Sequence, residues 1–412
     1  MRARWLAVGA CVAVMGGAAG ARAQSGRELN VIPLVGGDSD IGVGGGLVGD
    51  LAALTPGKPP YRWRLEAAAF LTLKLRANDQ GNTGLIVPFQ DYSLQLTVPR
   101  MGPGGRVRLD VRPVFTDEIL RYYGIGNASP PEAPGESDAS VEYRRFHPSF
   151  AFEARASLWS AFHLSLGSTT TYTRLDVPAG TRLAREQAAA SPEVRAMLGS
   201  FAAHVTEQLA SEASWDTRDD EIITRHGSFH ALRLVVSPRV GSALPFGYQR
   251  LTAVARFYRT PIERPDHLSG LSIQWRVVGD VLTGSPPVYE LARFDDTPAI
   301  GGLRAVRGVP AQRYHGKVKL FGNVELVSEL LPFSIGKKKL VLGAAAFFDA
   351  GRTFTEITRS HPELDGTGVG LKYGVGGGLR LQEGRTFIVR LDVAWSPDAS
   401  PVGAYFAAGE IF

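Results

Sequence analysis

The sequence predicts an all-β fold, a 16-stranded antiparallel transmembrane β-barrel. Three observations predict it: an export leader, alternating runs long enough to cross a bilayer, and connections that are long at one end of the strands and short at the other. Arg2 and Arg4 precede an apolar run over Trp5–Gly20, and Ala21-Arg22-Ala23 offers small residues at both positions that a signal peptidase reads. Cleavage is expected before Gln24, so that residues 1–23 are a signal peptide and 24–412 the barrel. Cys11 is not read as a lipid-anchor site, because Gly9 is a poor residue two positions before such a cysteine and the apolar run continues past it. Cleavage would remove the single cysteine, so no disulfide is expected in the remaining 389 residues. It would also remove Arg2, Arg4 and Arg22, taking the formal charge from +5 to +2. The high isoelectric point therefore does not point to nucleic acid, which calls for a clustered basic patch.

The alternation is clearest in two runs. Over 62–75, Trp63, Leu65, Ala67, Ala69, Leu71, Leu73 and Leu75 share one parity, and Arg62, Arg64, Glu66, Thr72 and Lys74 share the other. Over 106–115, Val107, Leu109, Val111 and Phe115 oppose Arg106, Arg108, Asp110 and Arg112. A period of two sends the two sets to opposite faces of a sheet. Charged faces of this kind suit a water-filled lumen; a soluble antiparallel sandwich with one wet face is the alternative. No run of eighteen apolar residues follows the leader, so no transmembrane helix is expected.

Strands are expected near 28–35, 40–54, 61–75, 85–99, 105–116, 141–156, 160–175, 201–216, 227–238, 248–260 and 270–282. Five more follow near 317–330, 340–350, 368–382, 385–396 and 402–412. An even count places both termini on the periplasmic side. Short links such as 55–60, 100–104 and 157–159 then share that side, and the long ones at 117–140, 176–200 and 283–316 share the outside. The last of these is the sixth outer connection. Within them, 130–140 reads as a loop tip rich in Pro, Gly and Ser. Ser191-Pro192-Glu193 opens a short helix through Leu198, with the serine as its cap.

Several tempting motifs are set aside. Gly44–Gly49 matches the dinucleotide fingerprint in letters, but it lies inside an alternating run with no helix after it. The hexapeptide Gly42–Leu47 recurs as Gly374–Leu379, and glycines in barrel strands relieve crowding and permit bending. His226 and His230 lie four apart at the start of a strand without a third ligand, so no metal site is read there. No catalytic constellation and no cofactor site stands out, and the chain is read as non-enzymatic.

Five segments resemble a known family, the BamA/TamA-type bacterial surface-antigen barrels, which also include two-partner-secretion transporters. Tyr122-Tyr123-Gly124-Ile125-Gly126-Asn127 is similar to an outer signature of its short members. Asp216, Arg218 and Asp219, within Trp215–Asp220 and followed by Gly227, resemble its mid-barrel turn. Gly301–Val309 resembles its long sixth loop, whose hallmark is Val-Arg-Gly before an aromatic, and Phe347–Gly351 resembles the strand that receives that loop. Gly409–Phe412 is similar to the terminal signal, ending in an aromatic, that the barrel-assembly machinery reads.

The resemblance implies a sixth outer loop folded back into the lumen, with Arg307 paired to Asp349, Gly308 turning the backbone beside it and Gly351 two residues beyond the acid. A guanidinium fork suits such a pairing because it holds a carboxylate bidentately. A one-to-one pair in a wet lumen implies equal, moderate defects from Arg307→Ala and Asp349→Ala. Val309 departs from the family's aromatic, which implies weaker packing of the loop tip. The few residues at 24–28 before the first strand leave no room for the POTRA domains of the assembly and translocation members. The implied role is outer-membrane biogenesis, the insertion or passage of protein or lipid, with a seam between first and last strands weakened by Pro33. The implied partners are outer-membrane lipid, the assembly machinery and a separate POTRA-bearing periplasmic protein. A passive pore for small solutes, gated by the same loop, is the alternative reading.

Overall fold

The computed structural model describes residues 10–11, 26–54, 61–77, 83–130, 138–221, 223–264, 268–295, 297–336, 338–383, 387–398 and 402–408. It is a closed antiparallel barrel of 16 strands. The first eight are β1 (Arg27–Asp38), β2 (Gly42–Ala53), β3 (Trp63–Ala77), β4 (Thr83–Met101), β5 (Val107–Arg121), β6 (Glu142–Phe146 continued as Ser149–Ser157), β7 (Phe162–Asp176) and β8 (His204–Asp216). The second eight are β9 (Gly227–Ser237), β10 (Tyr248–Glu263), β11 (Ser269–Gly284), β12 (Val318–Ile335), β13 (Lys338–Phe354), β14 (Lys372–Glu383), β15 (Phe387–Trp395) and β16 (Gly403–Ala408). Each pairs with its sequence neighbour, and β16 returns to β1. Of the expected signal peptide only Ala10–Cys11 is described, as a two-residue bridge to Val35 and Gly36 of β1.

The wall is inside-out relative to a soluble protein. Along β3, Leu71, Leu73 and Leu75 are exposed while Glu66, Phe70 and Thr72, of the other parity, are buried. Along β12 the buried set is Lys319, Phe321, Asn323, Glu325, Val327 and Glu329, and Leu320, Val324 and Leu326 face out. Apolar side chains directed outward and charges directed inward suit a wall solvated by lipid on one side and closed on itself on the other. Rows of outward aromatic rings mark both ends. Tyr92, Phe115, Phe146 and Tyr172 run across β4–β7 nearer the long connections, and Trp159, Phe162 and Trp215 lie at the short-turn end. Such girdles belong at membrane interfaces.

The strand order follows the sequence expectation, with differences of local cause. His147-Pro148 interrupts β6, where proline has no N–H to give the ladder. β5 and β12 run beyond their expected ends, through Arg121 and Ile335, and β12 does so across an irregularity between Glu329 and Leu331. β1 spans Arg27–Asp38, longer than the expected 28–35; what is short is its pairing with β16. Among the described residues it meets β16 only at Gly37 with Phe406 and Asp38 with Tyr405, beside a bond from Ser39 N to the Ala404 carbonyl (3.1 Å). Neighbouring β12 and β13, by contrast, pair from Val318–Phe354 to Ile335–Lys338.

The long-connection end carries an apolar cap. Leu120, Tyr122, Tyr143, Leu183, Leu198, Phe246 and Tyr289 bury one another there. Two helices contribute, α1 (Arg182–Ala189) and α2 (Pro192–Leu198). Ser191 Oγ accepts from Val194 N as the cap of α2, and Thr181 does the same for α1 from Ala184 N. The second helix was legible in the sequence; the first was not.

Candidate functional site

The site is built where the 285–317 segment, the sixth connection at the outer end, meets β11–β16. The segment turns on itself: Gly302 N bonds to the Val309 carbonyl (2.9 Å) and Ala305 N to that of Gly302 (3.3 Å). At Gly308 the backbone takes a φ of 88°, and a Cβ there would press on the Trp395–Ser396 backbone. The turn presents Arg307 to three strands at once.

Arg307 Nε and Nη2 donate to the two oxygens of Asp349 on β13 at 2.7 and 2.9 Å, and its backbone N–H also bonds to that carboxylate (3.1 Å). Nη1 reaches Asp392 on β15 (3.1 Å) and Glu325 on β12. The guanidinium lies 3.4 Å from the ring centre of Phe347. Arg307, Asp349, Glu325 and Asp392 are all fully buried. Arg380 and Arg390 pair with Asp392, so three guanidiniums face three carboxylates in a dry cluster. Burial works against the charge of Arg307, but Asp349 and Glu325 outweigh it and hold its pKa above the ordinary arginine value. Asn323 ties the cluster to the loop backbone, donating to Asp349 (2.8 Å) and to the Ala305 carbonyl.

Two further bonds join the loop to the closing strands. Gly308 N donates to the Tyr405 hydroxyl on β16 (2.8 Å), and Ala311 N to Asp40 in the turn after β1 (3.1 Å). Asp40 also takes Arg121 Nη1 at 2.7 Å. Leu303 packs with Phe347, Ala394, Tyr405 and Ala407.

The sequence-selected residues thus fall into two groups. Arg307, Gly308 and Asp349 come together, and Gly351 sits beside them, where a Cβ would strike Ile300 of the loop and Phe321. Asp216, Arg218 and Asp219 instead build the short-end turn between β8 and β9. Arg218 grips Asp216 bidentately (2.9 and 2.7 Å), and Asp219 Oδ1 accepts from the backbone of Asp220, Arg225 and His226. Phe412 lies outside the described residues. Val309 is fully buried with Phe294, Tyr314 and Phe321, so neighbouring rings supply the apolar surface that a family aromatic would have given. The repeated glycines also acquire a specific cause: a Cβ on Gly374 would strike the Arg307 carbonyl, and one on Gly376 the Phe347 ring.

Sequence reasoning missed Glu325, Asp392, Arg380, Asn323 and Tyr405. Their signal was present as inward parity, with charges at every second position of otherwise apolar strands. Nothing in the sequence said that three separated strands would converge on one guanidinium.

A family model described as the Omp85 superfamily domain matches residues 92–412. The chain belongs to the Omp85 superfamily. Among solved structures, this Omp85 barrel is similar to BamA from Haemophilus ducreyi lacking POTRA domains 1–3, with a TM-score of 0.59 and 13% identity over 94% of this chain and 70% of that one. It is also similar to CdiB from Acinetobacter baumannii, with a TM-score of 0.50 and 12% identity over 94% of this chain and 60% of that one. At these identities the likeness is one of fold. No curated protein sequence matches. Superfamily and fold together make this a bacterial outer-membrane protein.

Proposed function

We propose that this barrel acts in outer-membrane biogenesis, letting protein or lipid pass or insert sideways through a seam between β1 and β16 while the sixth loop, folded back into the lumen, holds the barrel closed. The observation that carries this reading is the thinness of the closure. Two register pairs join β1 to β16 among the described residues, and the Ala10–Cys11 bridge lies on the β1 edge beside them. An unpaired strand edge is a template for an incoming extended segment. The buried seating of Arg307 and the apolar cap at the outer end disfavour an open solute pore, which needs a continuous wet path. Removal of residues 1–23 in the periplasm would free the edge at Val35–Gly36, and Phe412 would serve as the terminal signal for the barrel's own assembly. A separate POTRA-bearing protein is the expected periplasmic partner.

A disulfide across the seam tests this. Cysteines at Ser39 and Ala404, whose backbones are bonded, should cross-link under oxidation and abolish the delivery of other outer-membrane components until a reductant is added. Full activity in the cross-linked barrel would refute lateral passage, and unaltered ion conductance alongside lost delivery would exclude the pore.

A further inference from the structure

The outer end of the barrel carries a charged cluster that neither the loop anchor nor the seam uses. After β13 the chain crosses this end through 355–371, where a short helix, α3 (Pro362–Asp365), begins just after His361. His361 is only 2% exposed, yet it stands among carboxylates. Its Nδ1 lies 3.4 Å from Glu363 Oε1, and its Nε2 lies 3.7 Å from Glu193 Oε1 and 3.9 Å from Glu356 Oε2. Glu193 belongs to α2, so the imidazole is set between two different outer connections. Both connections stand on the same apolar cap, α2 through Val194 and Leu198 and α3 through Leu364.

Both ring nitrogens therefore face acceptors. A neutral imidazole has one N–H and one lone pair, so it can donate to one side only and turns a lone pair toward the other. Nε2 is buried and makes no hydrogen bond among the described residues. The charges around the ring are uneven as well. Glu193 accepts from Arg359 Nη1 (3.2 Å) and Glu356 from Lys317 Nζ (2.9 Å), while Glu363 has no lysine or arginine partner among the described residues. Asp365 of α3 is engaged by Thr355, and Arg195 of α2 turns back to the Ala188 and Ala190 carbonyls. Three carboxylates thus face two fixed cations, and one positive charge is missing. Lys317 holds Glu356 below the usual carboxylate range, and a backbone N–H does the same for Glu363, so both stay ionised in mild acid.

We infer that His361 is a pH-sensitive clamp, which when protonated fastens α2 to the 355–371 connection and tightens the outer cap, and when neutral lets the two part. Imidazole is the side chain that exchanges a proton between about pH 5 and 8. Its charged form offers an N–H on both sides and supplies the missing charge. Carboxylate movements of about 1 Å or less bring the longer contacts to hydrogen-bond length. A divalent cation in the same place would leave an excess positive charge, and no three donors among the described residues are placed to hold one. The clamp acts at the outer end and does not depend on passage through the seam.

Amide hydrogen–deuterium exchange of the full barrel in detergent micelles tests this, read on peptides covering 191–199 and 361–366. Wild type and His361→Gln are compared side by side, so that the ratio of their rates cancels the intrinsic pH dependence of exchange. At about pH 5.5 the variant should exchange about fivefold faster or more over 191–199, and at about pH 8 the two should agree within about twofold. The sign follows because the clamp contributes where the imidazole carries its proton and is lost as pH rises. Glu193→Gln, a change at a half-exposed position, should shift the ratio in the same direction by less. Compact, heat-modifiable migration of each variant shows that it has folded. A histidine with a merely structural role gives the same ratio at both pH values, and that result, or a ratio larger at the higher pH, overturns the proposal. Protection of wild-type 191–199 by zinc chloride at the higher pH, absent in His361→Gln, would assign the cluster to a metal ion and overturn it too.

Discussion

The barrel is held in two contrasting ways on either side of the same loop. At β12 and β13 the ladder runs the length of both strands, and the loop is seated beside it through a dry cluster of three guanidiniums and three carboxylates. At β1 and β16 the ladder among the described residues is two pairs long, and the loop adds single neutral or charge-assisted bonds, Gly308 to Tyr405 and Ala311 to Asp40. The sixth loop is therefore anchored where the wall is strongest and lends contacts where it is weakest. A displacement of the loop at Arg307 would be felt at the seam through the next residue, Gly308.

The contrast is broken most severely at the anchor. Arg307→Ala leaves three buried carboxylates sharing the two remaining guanidiniums, Arg380 and Arg390, and should destabilise the loop by about 3–5 kcal/mol. Protease nicking within 295–312 and a lower unfolding temperature would report it. Asp349→Ala should cost less, because Arg307 keeps Glu325 and Asp392. The double mutant should fall well short of the sum. Equal single effects would return the site to the one-to-one pair that the sequence implied.

The hexapeptide repeat sharpens the contrast. Gly374→Ala would drive a Cβ into the Arg307 carbonyl and should cost about 1–3 kcal/mol by overpacking, with the loop made protease-sensitive. Gly45→Ala, at the fourth position of the hexapeptide in β2 rather than the first, meets only an ordinary contact and should be close to neutral in the same assay. Comparable loop exposure in the two variants would show that the repeat serves strand bending alone.

At the seam the expected effects are smaller. Tyr405→Phe removes the acceptor for Gly308 N and leaves a buried N–H unpaired, a cost of about 1–3 kcal/mol. Its signature should be faster labelling of a cysteine at Ala404 with no increase in loop proteolysis. A change confined to the loop would mean that Gly308 does not couple anchor to seam.

The mildest perturbation is acid. His315, at the C-terminal end of the loop segment, is fully buried against Tyr122, and burial together with Lys319 and Arg313 depresses its pKa to about 3. A histidine held neutral in the folded state favours folding above its unfolded pKa, about 6.5, and that contribution declines as pH falls from there toward 3. Loop protection should weaken over this window, and His315→Phe should flatten the profile between pH 6.5 and 5. An unchanged profile in the variant would assign the acid response to other groups.

How much of this was legible depends on how local the determinant is. Each strand announces itself because alternate residues meet lipid, as Leu71, Leu73 and Leu75 do against Thr72. The expected and observed strands therefore correspond one to one. Ends were less legible where strands continue past the membrane and the alternation loses its outward apolar member, as at Glu118–Arg121 of β5. α1 was missed because only Leu183 anchors it to the cap; its remaining residues are partly or fully exposed. For the site, resemblance to a family named Arg307 and Asp349, and residue chemistry made the pairing reasonable. Glu325 and Asp392 lay beyond reach because their convergence depends on the register and curvature of four consecutive strands. The dryness of the cluster followed from the same convergence and replaced the wet, moderate pair that the sequence implied.

The unequal ladders also give the barrel a mechanical direction. Drawn from its C-terminus by a single-molecule tether, β16 would need to shed, among the described residues, its pairing with β15 and two pairs with β1, and it would part at low force. β15 and β14 follow as a hairpin, which must strip β14 from β13 along its length and draw Asp392 and Arg380 away from Arg307 and Glu325. The next rupture must strip β13 from β12 along its whole length and tear Asp349 from Arg307 in the same event. Extension traces should show one soft step and then two taller ones, with both tall ones lowered in Arg307→Ala.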